Sequence, residues 1–181
     1  MLQYKVRTSL AEQGWGNRVK IGILSDTHND RASTQRALQA FRQRGVNTLF
    51  HCGDLVFANM VRLFVDFEVY FVYGNMDRNH RQGIEMAVAT QPGAHLLGAG
   101  DEVELAGRRL AITHGARVEV LEMLLWAEPD YLFHGHTHRR RDEQAGPTRV
   151  INPGAVGGTK HESRSVCVLD LASDQLEVIW L

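Results

Sequence analysis

Five apolar runs in this chain each end on residues of the kind that bind metals. Val19–Leu24 leads into Ser25-Asp26-Thr27-His28, and Val46–Phe50 into His51-Cys52-Gly53-Asp54. Val69–Val72 leads into Gly74-Asn75-Met76-Asp77, Arg108–Ile112 into Thr113-His114-Gly115, and Tyr131–Phe133 into His134-Gly135-His136-Thr137-His138. Short runs rich in branched and aromatic residues read as β-strands. Open α/β folds bind ligands at the carboxyl ends of their strands. Two of the clusters, Asp26 with His28 and His136 with His138, are i, i+2 pairs. On an extended backbone both side chains of such a pair leave on the same side, which makes a claw for a cation. A fold that gathers these five ends in one place builds a site for two metal ions.

The spacing between the runs narrows the fold further. Asp30 is placed to cap a helix starting at Arg31, with Ala37, Leu38 and Phe41 on its inner face and Gly45 as its stop. A short helix is expected around Ala58–Phe64. The first half therefore reads β-α-β-α-β, the pattern of a parallel sheet flanked by helices. In the second half, Asp101–Leu105 and Arg108–Ile112 flank Ala106-Gly107, a hairpin signal. Val118, Leu121, Leu124 and Leu125 mark one amphipathic helix, closed by Glu128-Pro129. Thr148–Ile151, Ser165–Leu171 and Leu176–Trp180 read as a largely antiparallel set. The order fits an α/β class fold, an α/β/β/α sandwich of two mixed sheets with outer helices. Residues 19–181 form one domain, preceded by an N-terminal extension over residues 1–18.

Composition removes several other readings. At 181 residues the chain suits one domain with a substantial core. With 20 basic and 21 acidic side chains its formal net charge is −1, so no general nucleic-acid binding is indicated. Arg139-Arg140-Arg141 is the sole basic triplet; it reads either as a solvated turn or as an electropositive lip that attracts phosphate. No apolar stretch approaches the ~20 residues that span a bilayer. Cys52 and Cys167 lack metal-type spacing and no secretory signal precedes them, which favours a cytoplasmic, reduced setting.

The donor types select the chemistry. Mixed carboxylate, amide and imidazole groups suit Mn, Fe, Zn, Ni or Mg. A carboxylate can bridge two cations, and Asp54 is the best placed to do so because Gly53 removes bulk beside it. Taken singly, each cluster matches an ordinary turn: Asp26 a cap, Gly53-Asp54 and Gly74-Asn75 turn dipeptides, His114 a loop histidine. Taken in order, after five strands, they make a constellation. Two-metal centres at ~3.5–4 Å are a recurring solution to phosphoester hydrolysis.

This ordered set resembles the calcineurin-like metallophosphoesterase superfamily, and within it the small YfcE-type phosphodiesterases, relatives of the eukaryotic Vps29 scaffold. Asn152-Pro153-Gly154-Ala155 is similar to the Asn-Pro-Gly-Ser segment of that subfamily. The resemblance spans about residues 19–181. It implies a dinuclear-metal phosphodiesterase, Mn being the expected ion, acting on a small phosphoester through attack by a metal-bound hydroxide. It assigns Asp26, His28 and His138 to one metal and Asn75, His114 and His136 to the other, with Asp54 bridging. Asp26, His28, Asp54 and Asn75 form the catalytic group; Asn75, Asp77 and Arg78 are the expected substrate contacts. His134 receives no ligand role and reads as a supporting residue. Homo-oligomerisation is a further expectation of the resemblance. A Vps29-like scaffold with little catalysis, or a phosphomonoesterase or nucleotide pyrophosphatase with the same centre, are the alternatives.

One departure stands out. Many members of the wider superfamily carry histidine after the metal-binding asparagine; this chain has Met76, which supplies no proton. Asp77, Arg78 and His80 follow and offer a partial replacement.

Overall fold

A computed structural model describes residues 19–158 and 161–181. The expected N-terminal extension, residues 1–18, lies outside the described residues. Two sheets face each other. The first contains β1 (Lys20–Leu24), β2 (Thr48–His51), β3 (Glu68–Phe71) and β4 (Ala94–Leu96), all parallel, with β10 (Ser165–Asp170) antiparallel to β1 and β11 (Gln175–Trp180) antiparallel to β10. The second has the order β5 (Gly100–Leu105), β6 (Arg108–Thr113), β7 (Tyr131–Phe133), β9 (Thr148–Asn152), β8 (Arg141–Ala145). In it β6, β7 and β9 are parallel, while the edge strands β5 and β8 run antiparallel to their neighbours.

Three apolar layers hold this arrangement together. Ile21, Ile23, Phe50, Tyr70 and Cys167 of the first sheet meet Leu110, Ile112, Phe133 and Ile151 of the second. These are alternate residues of their strands, as the period of two requires. The other face of the first sheet carries Leu24, Leu49, Val69 and Phe71, covered by Ala37, Leu38 and Phe41 of α1 (Arg31–Gln43), Met60 and Phe64 of a 3₁₀ helix (Ala58–Phe64), and Ile84 and Val88 of α2 (Arg81–Ala89). The outer face of the second sheet has the thinner cover of α3 (Val118–Trp126), whose Val120 and Leu124 pack on Ala111, Leu132 and Val150. β1 and β2 are buried on both faces, which is why their sequences run apolar without alternation. The architecture is the expected α/β/β/α sandwich.

Local chemistry sets the element ends. The Asp30 carboxylate accepts from the Ser33 amide at 2.9 Å and caps α1 as expected. Ala106 and Gly107, at φ of 52° and 72°, make the mirror-image turn that matches strand twist in a two-residue hairpin. Gly22 in β1 lets α1 settle close: a Cβ there would lie 2.5 Å from Leu49 Cδ2 and 2.8 Å from the Phe41 ring.

The late strands divide between the sheets. Ser165–Asp170 and Gln175–Trp180 extend the first sheet, whereas Thr148–Asn152 lies parallel to β7 in the second. The segment after the basic triplet is itself an edge strand, and β4 and α2 fill the interval between Asp77 and the hairpin.

Candidate metal centre

The carboxyl ends of β1, β2, β3, β6 and β7 point the same way, and direct backbone bonds tie their loops together. The Asp26 amide donates to the Gly53 carbonyl at 3.0 Å and the His28 amide to the Asp54 carbonyl at 3.0 Å, which locks the first loop to the second. The Gly135 amide donates to the His114 carbonyl at 3.0 Å, joining the last two loops. The His136 amide donates to Asp26 Oδ2 at 3.1 Å and closes the ring between the two sheets.

The donor atoms converge on two adjoining points. Asp26 Oδ1 faces His138 Nε2 at 3.2 Å and His28 Nε2 at 3.7 Å, and the two imidazole nitrogens lie 3.1 Å apart. Asp54 Oδ2 stands 3.5 Å from His114 Nε2 and 3.8 Å from His28 Nε2, between the two groups. Asn75 Oδ1 lies 3.0 Å from His114 Nε2. Asp26, His28 and His138 form one triad able to hold a cation; Asp26, Asp54 and His114 form a second, so Asp26 belongs to both. The His136 ring packs against His114 with centroids 5.1 Å apart, which puts it beside the second group. All seven expected ligands therefore lie in one cluster.

Two observations fit this cluster to cations. Asp26 Oδ1 is buried and has no hydrogen bond among the described residues, a costly state for a carboxylate oxygen unless a positive charge meets it. His114 Nδ1 lies 2.7 Å from the Cys52 carbonyl, so that nitrogen carries the proton and Nε2 turns a lone pair toward Asn75 Oδ1 and Asp54. Two lone pairs at 3.0 Å repel unless a cation or proton lies between them. A glycine is also required at position 74, because a Cβ there would fall on the Asp54 carboxylate and amide.

The charges respond accordingly. Burial alone would push His114 down, but the Asp54 carboxylate 3.5 Å from Nε2 outweighs this and raises it, so the place that Nε2 faces favours positive charge. The Asp26 carboxylate pulls His138 up. Burial would raise Asp54, yet His114, the Met76 amide and His28 together hold it below the usual carboxylate range. The centre keeps Asp54 ionised and attracts positive charge.

The i, i+2 pairs are not extended, which corrects the sequence expectation. His136 and His138 have φ of 68° and 57°, and Asp26 and His28 have 53° and 44°. Asp54, at 57°, is left-handed as well. Asp, Asn and His tolerate this region better than other side chains, but each such residue still costs of order 1–3 kcal/mol. Alternate left-handed residues turn both imidazoles inward where a pleated strand would lay them along its face. Val56, at φ 76°, is stranger, since β-branched residues rarely enter this region.

Three residues without an assigned ligand role hold these loops. The Asp77 carboxylate accepts from the amides of Asp54 (3.0 Å), Gly74 (2.7 Å) and Val56 (2.7 Å). It is 1% exposed and its oxygens are committed to the backbone, so it does not contact substrate or serve as the leaving-group acid, contrary to the sequence expectation. Asn152 donates to the Gly135 carbonyl at 2.9 Å and to Thr137 Oγ1 at 3.2 Å, and accepts from the Gly154 amide at 2.9 Å, fixing the histidine loop. His51 accepts from the Gly53 amide at Nδ1 (3.2 Å), so its Nε2–H donates to Thr27 Oγ1 at 3.1 Å. Thr27 in turn donates to the Asp54 carbonyl at 3.4 Å. Asp77 stood among the candidates in the wrong role, and His51 was visible only as the residue next to Cys52-Gly53-Asp54. His134 is buried beside Gly135 and Asn152, consistent with a supporting place. Arg78 is exposed on the segment before α2.

Two arginines of the basic triplet are engaged with neighbouring side chains, while Arg139, next to His138, is exposed. Arg140 pairs with Glu162 at 3.0 Å and lies over the Trp180 ring at 4.1 Å, while Arg141 pairs with Glu143.

A two-sheet sandwich whose strand ends carry this donor set defines a class, the hydrolases that work on phosphate esters with metal. Residues 19–174 match the calcineurin-like phosphoesterase superfamily domain, and the chain belongs to that superfamily. It is 30% identical over 166 residues to Phosphodiesterase MJ0936 of Methanocaldococcus jannaschii, covering 90% of this chain and 99% of that protein. It is 29% identical over 179 residues to Phosphodiesterase YfcE of Escherichia coli, covering 90% and 92%. The structure of an archaeal phosphodiesterase superposes with a TM-score of 0.82 at 30% identity, covering 90% of this chain and 99% of that one. The chain is a phosphoesterase, a hydrolase.

Two outcomes follow for the supporting residues. Asp77→Ala strands three buried amide donors at once and is expected to destabilise the fold by about 3 kcal/mol or more, read by urea unfolding. A loss below about 1 kcal/mol would mean that the carboxylate is not holding these loops. Burial lowers His51 to about 4, against an ordinary value of 6.5. The unfolded chain therefore takes up a proton between those values that the folded chain refuses, and stability falls as pH drops from 6.5 towards 4. His51→Gln should remove roughly 3 kcal/mol of that pH dependence over the window. Parallel unfolding curves for both proteins across it would refute the assignment.

Proposed function

We propose that this chain is a phosphodiesterase that works with two divalent ions; the mixed donor set accepts Mn, Fe, Zn, Ni or Mg, and manganese is the ion that the family resemblance implies. The observation that carries the reading is the convergence of acceptors. Asp26 Oδ1 is buried without a hydrogen bond, and ring nitrogens of His28, His138 and His114 and the amide oxygen of Asn75 gather around it and Asp54. In this reading Asp26, His28 and His138 hold one ion, Asn75, His114 and His136 the other, and Asp54 is shared. When bound, the ions supply an activated water and neutralise charge that develops on the phosphoryl oxygens.

The chain's own residues do the rest. The Met76 amide and the neighbouring charges keep Asp54 ionised. The Cys52 carbonyl fixes the His114 tautomer. Asn152 and Gly135 hold the histidine loop in its left-handed form. Asn75, beside His114, and Arg78, on the same loop, are both exposed and are the candidate contacts for a phosphoryl oxygen. Asp77 does not replace the proton donor that Met76 lacks, because it is sequestered; Arg78 and His80 are the remaining candidates. A scaffold with little catalysis has no need for seven convergent ligands or for five of them in strained conformations. The buried free thiols of Cys52 and Cys167 suit a cytoplasmic setting.

The metal assignment is checked by elemental analysis and calorimetry. The Mn-saturated protein should hold two ions per chain, Asp54→Ala should weaken both sites together, and Asn75→Ala mainly one. Retention of both ions at unchanged affinity in Asp54→Ala would remove the shared role. The missing proton donor gives a kinetic outcome. A leaving-group series should show rates climbing steeply with leaving-group acidity, and Met76→His should flatten it by up to ~10²-fold at the poor end. A flat series for the natural chain would show that protonation does not limit the rate.

A further inference from the structure

Two large apolar side chains stand open beside the donor cluster. Phe57, three residues after Asp54, is 43% exposed, and Met76, next to Asn75, is 52% exposed. Leu55, two residues before Phe57, lies in the core, and Asp77, next to Met76, is enclosed. The exposure of Phe57 follows from the backbone. Val56 is held at φ 76° with its amide on Asp77 Oδ1, and this turns the chain outward just before Phe57.

The two side chains are fixed relative to the metal centre. The Met76 amide donates to Asp54 Oδ1 at 2.8 Å. The His80 amide donates to the Asp77 carbonyl at 2.9 Å, and the His80 ring meets Phe57 in a T-shaped contact, centroids 4.7 Å apart and planes at 73°. Phe57, Met76 and His80 thus hang from the same residue that ties the Asp54 and Asn75 loops together. The contact with His80 orients the aromatic ring while leaving it partly open to solvent.

A phosphodiester brings a charged phosphoryl group and two ester arms. The donor cluster answers the charge; an arm needs a surface of its own. We propose that Phe57, oriented by His80, is the subsite for an aromatic ester group of the substrate, either a simple aryl ring or a nucleobase, with Met76 exposed on the adjoining Asn75 loop. An aromatic ring with an open face stacks on flat π-systems, and a thioether adapts to the edge of whatever lies there. The inference rests on the phosphodiesterase reading above and adds the chemistry of the group beyond the phosphorus.

The test holds the leaving group constant. The Mn-loaded protein and Phe57→Ala are assayed on bis(p-nitrophenyl) phosphate, on p-nitrophenyl methyl phosphate, and on the p-nitrophenyl ester of thymidine 5′-phosphate. All three release p-nitrophenol, so only the retained arm differs. The KM ratio of methyl to aromatic-arm substrate should fall about five- to a hundred-fold in Phe57→Ala, the range expected for one stacked ring. Phe57→Tyr should restore it. A fall with the aryl arm alone assigns the subsite to simple aryl esters, and a fall with the thymidine arm assigns it to nucleobases. A ratio unmoved in both, with the natural protein active on the diesters, would overturn the subsite and leave the phosphodiesterase reading standing. Inactivity of the natural protein on every diester would overturn that reading and the subsite with it.

Discussion

Two buried carboxylates, Asp26 and Asp54, face the same few imidazole nitrogens, and much of the structure around them exists to tolerate that. Negative charge and lone pairs gathered in a poorly hydrated place repel one another and resist burial. The loops offset this with backbone amides: His136 donates to Asp26, and Met76 to Asp54. They also accept conformations that the chain would not choose, with Asp26, His28, Asp54, His136 and His138 all left-handed. The sandwich supplies the rigidity to hold them there. Both sheets are packed on their shared face and the first is sealed by helices on its other, so the strand ends cannot relax apart.

The fold was readable because its periodicities are strong. β1 and β2 are apolar along their length because both faces are buried, and α1 shows a clean inner face with an aspartate cap at its start. The strands that escaped notice are those with weak patterns. β8 reads Arg-Asp-Glu-Gln-Ala and is exposed along an edge, held by backbone bonds to β9; β4 is three residues long. The helix α2 has just Ile84 and Val88 buried, too few to stand out from a loop. In each case tertiary pairing decides the conformation and local sequence does not.

The centre was legible for a different reason. Its candidate ligands are the residues that directly follow strands, so their order along the chain survives as a pattern even though their geometry does not. The sequence suggested a pleated claw, and the structure has left-handed turns that reach the same end by another route. Supporting residues were less visible. Asp77 looks like a site residue because it follows Asn75, but a carboxylate beside three orphan amides is a loop tie, and which amides it would meet depends on β2 and β3 lying side by side. Asn152 and His51 act on loops far from them in sequence, which no local pattern encodes.

Asp77 also explains why position and chemistry are joined on this side of the centre. One carboxylate fixes the amide of Asp54, the glycine that must precede Asn75, and the strained Val56 that turns Phe57 outward. Its carbonyl, through the His80 amide, starts the segment that leads into α2. A buried acid placed among amides costs desolvation, and burial does raise Asp77, though the amide bonds work against that rise. The protein accepts that cost because a single group sets the distance between the cation-holding loops and the apolar residues beside them. An acid free to protonate a leaving group would have to give up those amides. The same geometry that makes the site rigid therefore removes Asp77 from proton transfer, and methionine at position 76 supplies no proton in its place.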